Sequence, residues 1–124
     1  MAKLEKYLRL DPDGTLSWIT IDRDHFLDGL YEAIGCTSVE HVTLRYCLEC
    51  ICDEFGWYSE HQVANLYASP LYSGWARGIP LIGPVVFVET GWNDVGDLDW
   101  FPLRDDSLLL LSLKLCMPIP DREV

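Results

Sequence analysis

The residues best equipped for chemistry are five cysteines and three histidines. Three of the cysteines fall within Cys47-Leu48-Glu49-Cys50-Ile51-Cys52, and His61 follows downstream. These are the donor types of a structural zinc site, which holds its ion in a tetrahedron of thiolate and imidazole ligands. The spacing argues the other way. If the segment is a strand, Cys50 and Cys52 share one face and Cys47 points to the opposite one. A structural zinc places Cys-x2-Cys on a turn with a second pair elsewhere, and Cys36 and Cys116 supply no such pair. Buried cysteine packs as a small apolar residue, so core packing is the preferred reading and no metal or other cofactor is expected.

A thiol nucleophile could be built from Cys36 or Cys52 with His25, His41 or His61. The sequence carries no nucleophile-elbow motif and no cysteine-hydrolase signature. Cys36 follows a predicted helix end, where the negative pole of the helix dipole disfavours a thiolate. Paired acids, Asp53-Glu54 and Asp105-Asp106, could bind a cation or move a proton. Adjacent acids also mark turns and helix starts. Asp94, Asp97 and Asp99 lack the pattern of a calcium loop and its terminal glutamate. An enzyme is therefore the least favoured class, with Cys52, His61 and Asp53 the residues to mutate if turnover is seen.

Two loop features suit binding instead. Gly74-Trp75-Ala76-Arg77-Gly78 offers a ring to stack on and a guanidinium to pair with a phosphate. Trp92 and Trp100 flank Asp94, Asp97 and Asp99 in a predicted acidic loop, Gly91 to Phe101. Aromatic anchors dominate interface energetics, so this loop is the leading contact surface. The candidate binding residues are Trp75, Arg77, Trp92, Asp94, Asp97, Asp99 and Trp100.

Charge narrows the partner. Nine basic residues face twenty acidic ones, a formal net charge of −11. Phosphate contact needs clustered Lys and Arg, so direct binding to nucleic acid or to an anionic membrane is not expected. Six acids and one base, Arg104, lie between Glu89 and Asp106. Such a surface attracts a protein with a basic face. A symmetric homodimer is the accompanying expectation for an acidic sheet protein with exposed aromatics. The first residues, Met1 to Lys6, show no apolar signal region, and the longest apolar run, Leu108 to Leu111, is too short for a bilayer. The odd cysteine count then points to reduced thiols and a cytoplasmic protein.

These residues need a scaffold, and at 124 residues one domain suffices. Lys6 to Leu10 and Thr15 to Ile21 read as strands joined by the turn Asp11-Pro12-Asp13-Gly14. Asp22 or Asp24 caps a helix whose apolar stripe is Phe26, Leu27, Leu30, Tyr31 and Ile34, and Gly35 stops it. Strands follow at Val39 to Tyr46 and Leu48 to Cys52, then the turn Asp53-Glu54-Phe55-Gly56 and a short strand at Trp57-Tyr58. Ser59 with Gln62 reads as a capping box for a short helix through Val63, Leu66 and Tyr67. Pro70 to Pro80 reads as a loop, and Leu81 to Thr90 as a central strand. Leu103 to Leu115 is read as a helix, with Asp105 and Asp106 at its start and Lys114 at its end. The expected fold is a single α+β domain over 1–117, an antiparallel or mixed sheet of four to six strands with two or three helices. Residues 118–124 are expected to form a loose tail.

Leu10 to Leu115 resembles a bacterial and phage family, domain of unknown function 3846. The likeness lies in Asp11-Pro12-Asp13-Gly14 and in Leu30-Tyr31-Glu32-Ala33-Ile34-Gly35-Cys36. It continues through the strand Val39 to Leu44, the turn Asp53-Glu54-Phe55-Gly56, Asn65 with Ala68, and Gly83-Pro84-Val85-Val86-Phe87-Val88. The resemblance implies a mobile-element setting and no particular reaction. The chain departs from the pattern at Tyr72 to Gly78 and at Asp94 to Trp100. The leading expectation is a non-catalytic protein-binding module, an inhibitor or decoy of a host factor that normally binds nucleic acid. The alternative is a small-molecule or nucleotide binder built on Trp75, Arg77 and Asn65.

Overall fold

The run Val85-Val86-Phe87-Val88 has no polar face to offer solvent, so it must lie between two covered faces. In the computed structural model, which describes residues 3–122, it forms the middle of the sheet. The elements in chain order are β1 (Leu4–Leu10), β2 (Leu16–Asp22), α1 (Phe26–Ile34), β3 (Val39–Arg45), β4 (Leu48–Asp53), β5 (Ala64–Asn65), β6 (Leu81–Ile82), β7 (Val85–Trp92), β8 (Leu98–Phe101) and α2 (Asp105–Leu115). The main sheet runs β2-β1-β7-β4-β3, and β8 pairs with the second half of β7. Every pairing is antiparallel. A six-stranded sheet, the two-stranded β5–β6 ribbon and two helices thus make one α+β domain among the described residues, as the sequence predicts.

Strand alternation sorts the core into two layers. Leu8, Leu10, Leu48, Cys50, Cys52, Val85 and Phe87 face α2, where Leu103 and Leu111 cover them. Tyr7, Ile21, Ile51, Val86 and Val88 face α1, where Leu30 and Ile34 cover them. Gly29 permits the close approach of α1 to β2, because a Cβ there would lie 2.6 Å from Ile21 Cγ2. Helix α1 has only nine residues and lies over β2 and β7, with Tyr7 of β1 in the same apolar cluster. Phe26 at the start of α1 reaches Trp100 of β8, with ring centroids 6.1 Å apart, while the face around His41, Glu49 and Thr90 opens to a cavity.

Several local expectations give way to tertiary contacts. The short helix predicted after Ser59 does not form. Ser59 Oγ accepts from the His61 N–H at 3.2 Å and makes a local turn, and Gln62 sends its amide to the Ile34 carbonyl at 3.2 Å. Ala64–Asn65 then pairs with Leu81–Ile82 as a separate two-stranded ribbon. Trp57-Tyr58 is a 3-10 turn rather than a strand. Two such turns, Ser69–Leu71 and Ser73–Arg77, shape the predicted loop Pro70 to Pro80. Leu27 is exposed, because α1 packs through Leu30 and Ile34. Asp22 caps the turn Arg23–His25 that precedes α1, accepting from the Asp24 N–H at 3.0 Å.

The predicted acidic loop, Gly91 to Phe101, is a β-hairpin. Asn93 organises it: its carboxamide oxygen accepts from the N–H of Val95 at 3.1 Å and of Asp97 at 3.0 Å. Gly96 completes the turn at φ 83°, a left-handed backbone that favours glycine. The terminal stretch is described as far as Arg122. Trp18 donates its indole N–H to the Pro120 carbonyl at 2.7 Å, and Lys6 Nζ donates to the Arg122 carbonyl at 2.7 Å. Residues 123–124 of that segment, and Met1 and Ala2 at the other end, lie outside the described residues. Among the described residues, no helix is long and apolar enough to cross a membrane.

Candidate functional site

An acid inside a strand buried on both faces needs a reason, because burying a carboxylate is costly. Glu49 is such a residue, at 8% exposure near the start of β4. Its side chain points to the α1 face. Oε1 accepts from Trp100 Nε1 at 3.1 Å and lies 3.1 Å from His41 Nδ1. Oε2 accepts from the Thr43 hydroxyl at 3.3 Å. The His41 ring stands edge-on to Trp100 with centroids 5.6 Å apart. Four neighbouring strands thus converge: His41 and Thr43 from β3, Glu49 from β4, Thr90 from β7 and Trp100 from β8. Above them is a cavity of about 380 Å3, lined by His41, Glu49, Thr90, Leu98, Asp99 and Trp100.

Arg23 fixes the hairpin that supplies Trp100. Its guanidinium donates to Glu5 at 2.8 Å, to the Tyr7 hydroxyl at 2.8 Å and to the Trp100 carbonyl at 2.6 Å, and it pairs with Asp99 at 3.4 Å. The rings of Phe26 and Phe101 lie 4.9 and 5.0 Å from its central carbon. Burial, helped by the neighbouring Glu5 carboxylate, pushes the Tyr7 phenol far above its ordinary range.

Beyond this anchor the hairpin projects into solvent. Trp92 and Leu98 are direct cross-strand partners and therefore share a face. They are 72% and 62% exposed, and Val95 at the tip is 80% exposed. Asp94 and Asp97 flank them, both exposed. A second cavity, about 390 Å3, opens beside the hairpin between Trp92, Asp94, Asp99 and Arg23. Asp99 lines both cavities.

Of the predicted binding residues, Trp92, Asp94, Asp97, Asp99 and Trp100 therefore gather on one hairpin. Trp75 and Arg77 do not join them. They lie on the turn Ser73–Arg77, next to Leu71 and Tyr72, which pack on the α2 side of the sheet. Asn65 is occupied by the fold. Its amide donates to the carbonyls of Leu10 and Gly83, each at 3.0 Å, and its oxygen accepts from the Ala68 N–H at 3.0 Å. Glu49, Thr90, Leu98 and Arg23 were not singled out by sequence reasoning, and His41 only as a partner for a thiol. The available signal was Glu49 itself, an acid within Leu48-Glu49-Cys50-Ile51-Cys52.

The cysteines occupy other ground. Cys50 and Cys52 lie in the core on the α2 side, and Cys47 and Cys116 are exposed. Strand alternation puts His41 on the opposite face from Cys50 and Cys52. Burial, with Glu40 and Asp53 nearby, pushes the Cys52 thiol up to about 12, and burial pushes Cys50 well up too. Burial and Asp53 also raise Cys36. Among the described residues, no group of three or more His, Cys, Asp or Glu side chains is arranged to hold a metal ion. No known protein family matches the chain, and no curated protein or solved structure does.

Proposed function

We propose that this chain is a non-catalytic protein-binding module whose contact surface is the β7–β8 hairpin. The observation that carries the reading is the exposed pair Trp92 and Leu98, set opposite each other among Asp94, Asp97 and Asp99. Contiguous apolar side chains rimmed by polar ones are the make-up of an interface core and rim. The acids select a partner with a basic surface and steer its approach. The Arg23 anchor holds the hairpin ready, so little ordering cost opposes binding. The motif resemblance adds a setting: in a phage or mobile element, an acidic surface of this kind would decoy or inhibit a host protein that normally binds nucleic acid.

The test uses the tagged chain in its own host. Trp92→Ala with Leu98→Ala, and separately Asp94→Lys with Asp97→Lys, should each remove a protein that the unmutated chain retains. Trp75→Ala with Arg77→Ala should leave it bound. Retention by both hairpin variants sinks the proposal. The alternative, a small-molecule or nucleotide site at Trp75 and Arg77, predicts a thermal shift with a nucleotide panel, since a ligand stabilises by RT ln(1 + [L]/Kd).

A further inference from the structure

Two carboxylates are buried in this sheet, and they are matched differently. Glu89, at 6% exposure on the α2 side, has a permanent cation: Arg104 donates through Nε at 2.9 Å and through its backbone N–H at 2.7 Å. Glu49, at 8% exposure on the α1 side, has no Lys or Arg partner among the described residues. Its partners are an indole, a hydroxyl and an imidazole, and the imidazole is a cation only when protonated. A buried carboxylate whose charge is unmatched is poised to take up a cation.

The cavity over Glu49 is built for one. Asp99, whose carboxylate pairs with Arg23 at 3.4 Å, and the Trp100 ring also line it. Thr90 lines it too. No lysine or arginine is among its lining residues. Leu98 belongs both to this lining and to the exposed Trp92–Leu98 pair, so the cavity is continuous with the hairpin surface.

We propose that this cavity is a subsite for an arginine side chain of the partner. A guanidinium donates in a planar fork to carboxylate oxygens and stacks on an indole, which suits these groups better than the point charge of lysine. The idea rests on the docking reading above for the source of the arginine, but the chemistry of the cavity stands apart from it.

The experiment follows the Trp100 indole N–H by nitrogen-15 NMR in the full chain, assigned with Trp100→Phe. The probes are N-acetylarginine amide and its neutral isostere, N-acetylcitrulline amide. The expected result is a saturable shift with the arginine probe and binding at least about tenfold weaker with citrulline. Glu49→Gln should remove the arginine response, and Asp99→Asn should weaken it if the first variant does not fold. Equal responses to the two probes, or no response to arginine, overturn the proposal. Trp92→Ala should keep the arginine response while losing the protein partner. An arginine response in a chain whose hairpin variants change no partner's binding supports the subsite and refutes the docking reading. Loss of the partner on Trp92→Ala with no arginine response refutes the subsite alone.

Discussion

Trp92 stands directly opposite Leu98 across the β7–β8 ladder, and both side chains are exposed. Cross-strand pairs of this kind normally stabilise a sheet by covering each other. Here the pair closes the ladder next to the hairpin turn and both side chains are mostly exposed, so it does little for the core. Trp92→Ala and Leu98→Ala should each change folding stability by no more than about 0.5 kcal/mol, the range of surface substitutions. Urea titration measures this. A loss several times larger would make the pair structural and remove the reason to call it a contact surface.

Asn65 should behave in the opposite way. It is fully buried, and it satisfies two carbonyls and one N–H from three separate segments. Asn65→Ala leaves those groups unpaired in the interior and should cost about 3 kcal/mol. Because Asn65 joins β1 to the β5–β6 ribbon, proteolysis of the variant should begin near Ala64 to Leu81. Stability close to that of the parent chain would contradict this role.

Glu89 ties the start of α2 to the sheet by accepting from Arg104. Glu89→Ala removes the acceptor for the Arg104 N–H and should cost about 2 kcal/mol, while Arg104→Ala, which keeps that backbone bond, should cost clearly less. The order of the two denaturation midpoints checks the claim. The reverse order would assign the stabilisation to the exposed guanidinium.

The buried thiols set the alkaline limit. In the unfolded chain Cys50 and Cys52 ionise from their ordinary value of 9.0, whereas in the fold Cys52 is held up to about 12 and Cys50 well above the ordinary value. Above the ordinary value the folded state holds protons that the unfolded chain has released. Stability is therefore fully present below pH 9 and falls as pH rises toward 12. The Tyr7 phenol, also raised, acts in the same direction above its ordinary 10.0. Urea midpoints measured against pH should decline over this range, and Cys52→Val should decline less steeply. Identical slopes would contradict the burial of that thiol. In the native state, thiol reagents should label Cys47 and Cys116 ahead of Cys50 and Cys52.

Much of this fold was legible because its local signals agree with its contacts. The β1–β2 hairpin follows from Asp11-Pro12-Asp13-Gly14, and α1 from its stripe and Gly35 stop. The Val85 to Val88 run could only be central. The hairpin at Trp92 was missed because acid and tryptophan hide its alternation, although Asn93 and Gly96 are turn residues at the right offset. The helix after Ser59 was a false positive: a capping box is a local signal, and Gln62 and Asn65 take distant partners instead. The Glu49 cavity was not legible as a site. It depends on side chains from four strands converging under an open cavity, which no spacing in the sequence reveals.

The most direct test of the account is native mass spectrometry of the chain purified from its own host at low and raised salt, beside the Trp92→Ala, Leu98→Ala double variant. The expected result is a stoichiometric protein partner that leaves as salt rises and never appears with the variant. A chain that carries no protein at low salt, or a partner held equally by the variant, would contradict it.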